Sequence, residues 1–288
     1  MRLGAMNNPM LDVVSEIEAF AALGFDFLDL ALEPPQAYAG TLDIELVRKA
    51  LDRHGMGVIG HTAWYMPIAS VFPDIRETAL REMETSIRAF RELGVEKVSA
   101  HPHTNVPLVG DDYIRDQNIA AFSRLVEFTE RLGMKLMLEN PPRHYSRVAE
   151  LKPTLDAVPG LGFHLDIGHA NLRTPYNRAE ELVASFSDRL EHVHVSDNKG
   201  GDDDLHLPLG VGNINWHWAV AVLKNAGYDG TVTVEVFSED DQYLMMSKRI
   251  FEKLWQEVQA GERVLVPAES RHASGESKAP GEAREPTA

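Results

Sequence analysis

Short apolar runs rich in β-branched and aromatic residues alternate with longer segments whose apolar positions recur every three or four residues, from Arg2 to about residue 261. A run of roughly five such residues fits a buried strand, and a stripe at i, i+3, i+4 and i+7 fits a helix packed against it. The pattern predicts strands at RLGAM (2–6), FDFLDLAL (25–32), GVIGH (57–61), KVSAH (97–101), KLMLE (135–139), GFHLD (162–166), EHVHV (191–195) and VTVEV (232–236). Helical patterns lie between them, among them LDVVSEIEAFAALG, DIRETALREMETSIRAFRELG, IAAFSRLVEFTERLG and NWHWAVAVLKNAG. Each of these ends in glycine, the residue that best takes the left-handed position after a helix. Successive strands are about 25 to 40 residues apart, enough for a right-handed strand–helix–strand crossover. Eight such units predict an α/β protein: a single (β/α)8, or TIM, barrel over residues 1–261. An open doubly wound sheet is the alternative, but its first turn would carry a glycine-rich phosphate loop, and GAMNNPM is a poor match. From Glu262 the apolar period stops, so residues 262–288 read as a disordered tail in which His272 is simply solvated.

In a barrel of this kind the C-terminal strand ends and the loops after them converge on one mouth, where active sites are built. The run-ends carry a consistent chemistry. Strand three ends in His61, strand four in His101, strand five in Glu139, and strand six in Asp166 with His169 behind it. Strand seven delivers His194 and, in the loop after it, Asp204 and His206; strand eight delivers Glu235. Any one of these alone reads best as a loop or helix-capping residue. Six successive strand ends carrying imidazole or carboxylate do not, because independent caps have no reason to share that chemistry. Carboxylates favour Mg²⁺ or Mn²⁺ and imidazoles favour Zn²⁺, with overlap in mixed sites, so the expected cofactor is a divalent metal: Mn, Mg, Co or Zn. Strands five and eight lie three places apart in the ring, which would set Glu139 and Glu235 on nearly opposite sides of a central ion. Gly168 would permit a sharp turn returning His169 to the mouth.

The other histidines read more plainly. His164 and His192 share the strand faces of Asp166 and His194 and should lie deeper in the barrel. His103 and His144 are loop residues near the mouth, while His54 and His217 sit on helical segments. Trp64 and Tyr65, after strand three, are candidates to wall the pocket, with Trp64 offered to substrate.

Composition narrows the picture by exclusion. With no cysteine there is no thiolate ligand, disulfide or Cys nucleophile. A net charge of −16 argues against nucleic acid without ruling out a local basic groove. No run approaches the roughly 18 apolar residues of a membrane span, and MRLGAMNNPM lacks the apolar core of a signal peptide, so a soluble cytoplasmic protein is expected.

Several motifs then carry a resemblance: LEN (138–140), HLDIGH (164–169), HVHVSDN (192–198) followed by HLPLGVGNINW, and VEVF (234–237). Over roughly residues 1–260 the chain resembles the xylose isomerase-like barrel superfamily, which holds sugar isomerases and epimerases together with endonuclease IV-type AP endonucleases. For the epimerase branch the resemblance implies one divalent ion held by Glu139, Asp166, His194 and Glu235, with His169 contacting substrate. For the endonuclease branch it implies further zinc ligands at His61, His101, Asp204 and His206. Leu205 stands where the endonuclease pattern has Arg, and ALEPPQAYAG after strand two offers Glu33 and no basic residue. Lys199 lies one place off the basic residue that many epimerases carry there.

The leading expectation is therefore a metal-dependent isomerase or epimerase of a small sugar, sugar phosphate or related hydroxy-ketone. Glu139 and Glu235 would exchange a proton with the substrate through an enediolate. An endonuclease IV-like zinc phosphodiesterase acting at abasic sites is the alternative enzyme, and a non-catalytic barrel binding metal and sugar is the third reading. Isomerases of this family often form homo-oligomers, which the resemblance leaves open here.

Overall fold

The computed structural model describes residues 1–104 and 108–262. Apart from Glu262, the tail expected at 262–288 lies outside the described residues. The chain runs β1 (Arg2–Met6), α1 (Val13–Ala22), β2 (Phe27–Leu32), α2 (Ile44–His54), β3 (Gly57–Thr62), α3 (Pro73–Glu92), β4 (Lys97–Ala100) and α4 (Asp111–Arg131). It continues with β5 (Lys135–Glu139), α5 (Val148–Ala157), β6 (Gly162–Asp166), α6 (Ala179–Phe186), β7 (Leu190–Val195), α7 (Trp216–Asn225), β8 (Thr231–Val234) and α8 (Asp241–Glu257). The eight strands pair in parallel in chain order, and β1 pairs with β8 to close the barrel.

Strand alternation divides the side chains into two populations. On β2, Leu28, Leu30 and Leu32 point outward into the large apolar layer shared with helix residues such as Ile17, Leu51 and Phe90. Phe27, Asp29 and Ala31 take the other face. Phe27, Ile59 and Met137 form a separate apolar cluster that floors the barrel. Above that floor the interior turns polar, with Asp29, Ser99, Glu139, His164, His192 and Thr233 all buried. Apolar burial outside and below thus supplies the folding energy, leaving the upper barrel to carry groups that cost stability.

Glycines follow four of the helices where expected: Gly24, Gly94, Gly133 and Gly227 all have φ between +72° and +81°. At the start of α1, the buried Glu16 carboxylate accepts the backbone N–H of Asn8 at 2.9 and 3.1 Å and so ties down the β1–α1 loop. Burial raises Glu16 from its ordinary 4.5 to about 7. An acid whose pKa is higher in the folded chain adds stability below its unfolded value and loses it as pH rises through its folded value. Glu16→Gln is therefore expected to gain thermal stability relative to the parent as pH rises from about 4.5 to about 7, with no further gain above that. Paired melting curves at pH 4, 6 and 8 check this; a difference that does not vary with pH would contradict it.

Candidate active site

The strand ends deliver their side chains to one cluster. Glu139, at the end of β5, receives imidazoles from three sides on its Oε2: His61 Nε2 at 2.9 Å, His164 Nδ1 at 3.1 Å and His101 Nε2 at 3.3 Å. Ser99 Oγ donates to the same oxygen at 3.2 Å. The other oxygen, Oε1, faces His169 Nδ1 at 3.5 Å and His194 Nδ1 at 3.9 Å. His194 Nδ1 is the meeting point of a second group, lying 3.2 Å from Glu235 Oε2 and 3.9 Å from Asp166 Oδ2. Glu139, Asp166 and Glu235 are thus gathered around one ring nitrogen. A third group stands beside it, where His169 Nε2 and His206 Nε2 lie 2.9 and 3.3 Å from Asp204 Oδ2.

All nine strand-end residues singled out by sequence are therefore brought together, in three adjoining sets. Their placement has local causes. Glu235 lies just beyond β8 rather than within it, and its backbone N–H is held by Val195 O at 3.1 Å. Gly168 does not act through a left-handed turn, since its φ is −64° and ψ −51°. It is needed for space: a Cβ there would stand 2.7 Å from Ser196 Oγ and 3.1 Å from Asp166 Oδ1. Asp166 Oδ1 instead accepts the backbone N–H of His169 at 2.7 Å, which fixes the turn.

The loop after β7 is organised by Asp197, buried at the strand's end. Its carboxylate accepts the backbone N–H of Gly210 at 2.8 Å and of Ile214 at 3.2 Å, and the indole N–H of Trp216 at 3.0 Å. Gly212 passes so close that a Cβ would come within 2.1 Å of both Asn198 O and Asp197 Oδ1. These contacts, with the Asp197–Leu207 bridge, hold Asp204 and His206 over the mouth. His206 itself has φ 44°, a strained conformation for a non-glycine residue, held in place by its surroundings.

The cluster's charges are strongly interdependent. Burial alone would raise Glu139, but the imidazoles of His101, His164 and His194 outweigh it and hold the carboxyl well below the usual range. Asp166 is pushed up to about 7, first by burial and then by the neighbouring Glu235 and Glu139. Burial opposes protonation of His206, yet Glu235 and Asp204 raise it to about 9. His169 is held well above its ordinary value by Asp166 and Asp204 against the effect of burial.

Three carboxylates aimed at one imidazole nitrogen, with Asp166 Oδ2 buried and without a hydrogen-bond partner, suit a divalent cation. The sets His61–His101–Glu139 and His169–Asp204–His206 each offer three donor atoms within 4.8 Å of one another and could take further ions.

Two substrate candidates lie in loops. Lys199 is exposed and its ammonium makes no hydrogen bond or ion pair among the described residues. Trp64 is 65% exposed on the β3–α3 loop, edge-on to Tyr65. His164 and His192 are fully buried beneath the cluster, as their strand faces implied. His144 is exposed, and His103 is half-buried beside Asn118. Sequence reasoning missed Asp29 and Ser99. Asp29 Oδ2 lies 2.8 Å from His194 Nε2, and Ser99 Oγ lies 2.7 Å from His164 Nδ1.

A (β/α)8 barrel with carboxylates and imidazoles ringing its C-terminal mouth defines a class of barrels built around a polar, metal-competent centre. The chain belongs to the xylose isomerase-like TIM barrel family, whose model matches residues 17–259. It is 30% identical over 236 residues to the uncharacterized protein MJ1311 of Methanocaldococcus jannaschii, covering 77% of this chain and 78% of that one. A D-psicose 3-epimerase of Ruminiclostridium cellulolyticum is 24% identical, with 77% of each chain covered. Probable endonuclease 4 of Mycobacterium leprae is 25% identical, covering 74% of this chain and 88% of that one. Among solved structures, a D-tagatose 3-epimerase-like protein superposes with a TM-score of 0.80 at 28% identity, covering 90% of this chain and 98% of that chain. The family thus joins ketose 3-epimerases with endonuclease 4. No helix among the described residues is long and apolar enough to cross a membrane.

Proposed function

We propose that this protein is a metal-dependent epimerase or isomerase of a small ketose or ketose-like hydroxy-ketone. The observation that carries this reading is the convergence of Glu139 and Glu235 on His194 Nδ1, at 3.9 and 3.2 Å, with Asp166 as the third carboxylate. Glu139, Asp166, His194 and Glu235 would hold the divalent ion. When bound, that ion supplies positive charge beside a substrate carbonyl and so lowers the cost of removing a proton from the adjacent carbon. One glutamate takes that proton, and the electron pair left on carbon moves toward the carbonyl. The other glutamate, protonated at the outset, gives its proton to the opposite face for epimerisation; in isomerisation the proton goes to the former carbonyl carbon while the neighbouring hydroxyl proton passes to the former carbonyl oxygen. His169, held by Asp166 and Asp204, has Nδ1 bonded to Asn140 O and Nε2 to Asp204 Oδ2, so it would reach a substrate oxygen by exchanging its Nε2–H bond from Asp204. The ketose 3-epimerases among the relatives and the similarity to a D-tagatose 3-epimerase-like structure support the sugar class.

A second reading rests on a separate observation. His61 and His101 face the far oxygen of Glu139, while Asp204 and His206 face His169, so the cluster could hold more than one ion and act on a phosphodiester. Incubating the protein, loaded with Mn²⁺ or Co²⁺, with a panel of ketopentoses and ketohexoses in heavy water distinguishes the two. Deuterium is expected on the carbon next to the carbonyl of at least one sugar. Cleavage of abasic-site DNA with no exchange on any sugar would overturn the proposal.

A further inference from the structure

Asp29 is a carboxylate in the middle of a barrel strand, fully buried, with Phe27 and Ala31 as its neighbours on the same face. Among the described residues no lysine or arginine pairs with it, and its Oδ1 has no hydrogen-bond partner. A buried ion costs several kcal/mol unless its partners repay it, so filling the barrel does not explain an aspartate here. Its contacts run to Oδ2 alone. Thr233 Oγ1 donates at 2.7 Å, His194 Nε2 lies at 2.8 Å and His192 Nε2 at 3.1 Å. His192 is in turn held at Nδ1 by Thr231 Oγ1 at 2.8 Å. Donors from β7 and β8 therefore converge on one oxygen from β2, three and two places away around the ring.

An ionised carboxylate only accepts hydrogen bonds, so the imidazole nitrogen facing Asp29 must carry a proton. In the neutral ring this leaves the lone pair on Nδ1, the nitrogen turned toward Glu235, Glu139 and Asp166. We infer that Asp29 is a positioning residue: through its bond to Nε2 it fixes the tautomer and aim of His194, and with them the strength with which the Glu139, Asp166, His194 and Glu235 set holds a divalent ion. The inference rests on the metal reading above and extends it to a residue that touches neither ion nor substrate. Partners behind a metal-binding imidazole commonly set metal affinity in this way.

The test is titration of the metal-stripped full chain with Co²⁺ alone, followed by its visible spectrum, in the parent and in Asp29→Asn. The near-isosteric amide keeps the shape and one acceptor but removes the charge. Co²⁺ affinity is expected to fall about 10- to 100-fold, with an altered Co²⁺ spectrum. Nitrogen NMR of the ring, recorded at a pH high enough to leave it neutral, should show His194 protonated on Nε2 in the stripped parent and a mixture of tautomers in Asp29→Asn. A variant that binds Co²⁺ as tightly as the parent, with His194 in the parent's tautomer, would overturn the inference. Should Asp29→Asn fail to fold, Thr233→Val removes one of the donors that hold the carboxylate and should weaken Co²⁺ several-fold; unchanged affinity there also overturns it. A parent chain that takes up no Co²⁺ refutes the metal reading itself, and that failure shows before any variant is made.

Discussion

If the protein is the metal-dependent epimerase proposed, replacing Glu235 by Ala is expected to release its divalent ion and to lower sugar turnover by about 10²- to 10⁴-fold, the range that loss of a positioned acid or base usually produces. Glu139→Ala should do the same to turnover and metal content. The two variants should differ in stability. Glu235 sits at the open side of the cluster, its side chain 10% exposed, and Ala there leaves His194 bonded to Asp29 and His206 near Asp204. Glu139 is the common partner of His61, His101, His164 and Ser99, all buried around one oxygen. Removing it strands several polar groups, each costing about 1–3 kcal/mol when left unsatisfied. The metal-stripped Glu235→Ala chain should therefore melt close to the parent, and Glu139→Ala clearly below it. Metal analysis by mass spectrometry, with melting curves in chelator, reads both effects. Unchanged metal content in both variants would remove the basis of the site.

The barrel was legible because its evidence is repeated eight times: each strand run is apolar on its outward face, and helix stripes with glycine stops intervene. Boundaries moved by one or two residues, as at β2, which begins at Phe27, and β8, which ends before Glu235. The nine mouth residues were legible for a related reason, since a strand end in this fold has only one place to point. Asp29 was hidden because FDFLDLAL reads as a strand whatever occupies its inward face. The available signal was an acid in mid-strand on the same face as Phe27 and Ala31, with no basic residue nearby in sequence. The turn at Gly168 was legible, and the structure adds its cause, since a Cβ there would crowd Ser196. Lys199 and Trp64 lie in loops, where chain direction depends on contacts, such as those to Asp197, that sequence spacing does not encode.

The number of ions held by the parent and lost from a double variant should decide how the cluster works. Glu139 joins the two sets: its Oε1 faces His194 and its Oε2 faces His61 and His101. If a second ion sat with His61 and His101, both oxygens would be bound to metal and the carboxylate could no longer carry a proton. Proton transfer through Glu139 therefore requires that His61 and His101 act as hydrogen-bond partners, while multi-ion phosphodiester chemistry requires that they act as ligands. In His101→Gln/His206→Gln, the expected result is about one ion per chain, as in the parent, with sugar binding weakened because both side chains line the mouth. The surroundings favour this outcome. Glu33 stands near His61, where a DNA-binding barrel would want a cation; Leu205, between Asp204 and His206, is an exposed apolar residue; and the chain carries a net charge of −16. Phosphate contacts come chiefly from Lys and Arg, which are missing at those positions. A parent holding about three ions, a double variant that loses all but one, and parallel loss of abasic-site cleavage would instead make Glu139 a shared ligand and the protein a phosphodiesterase.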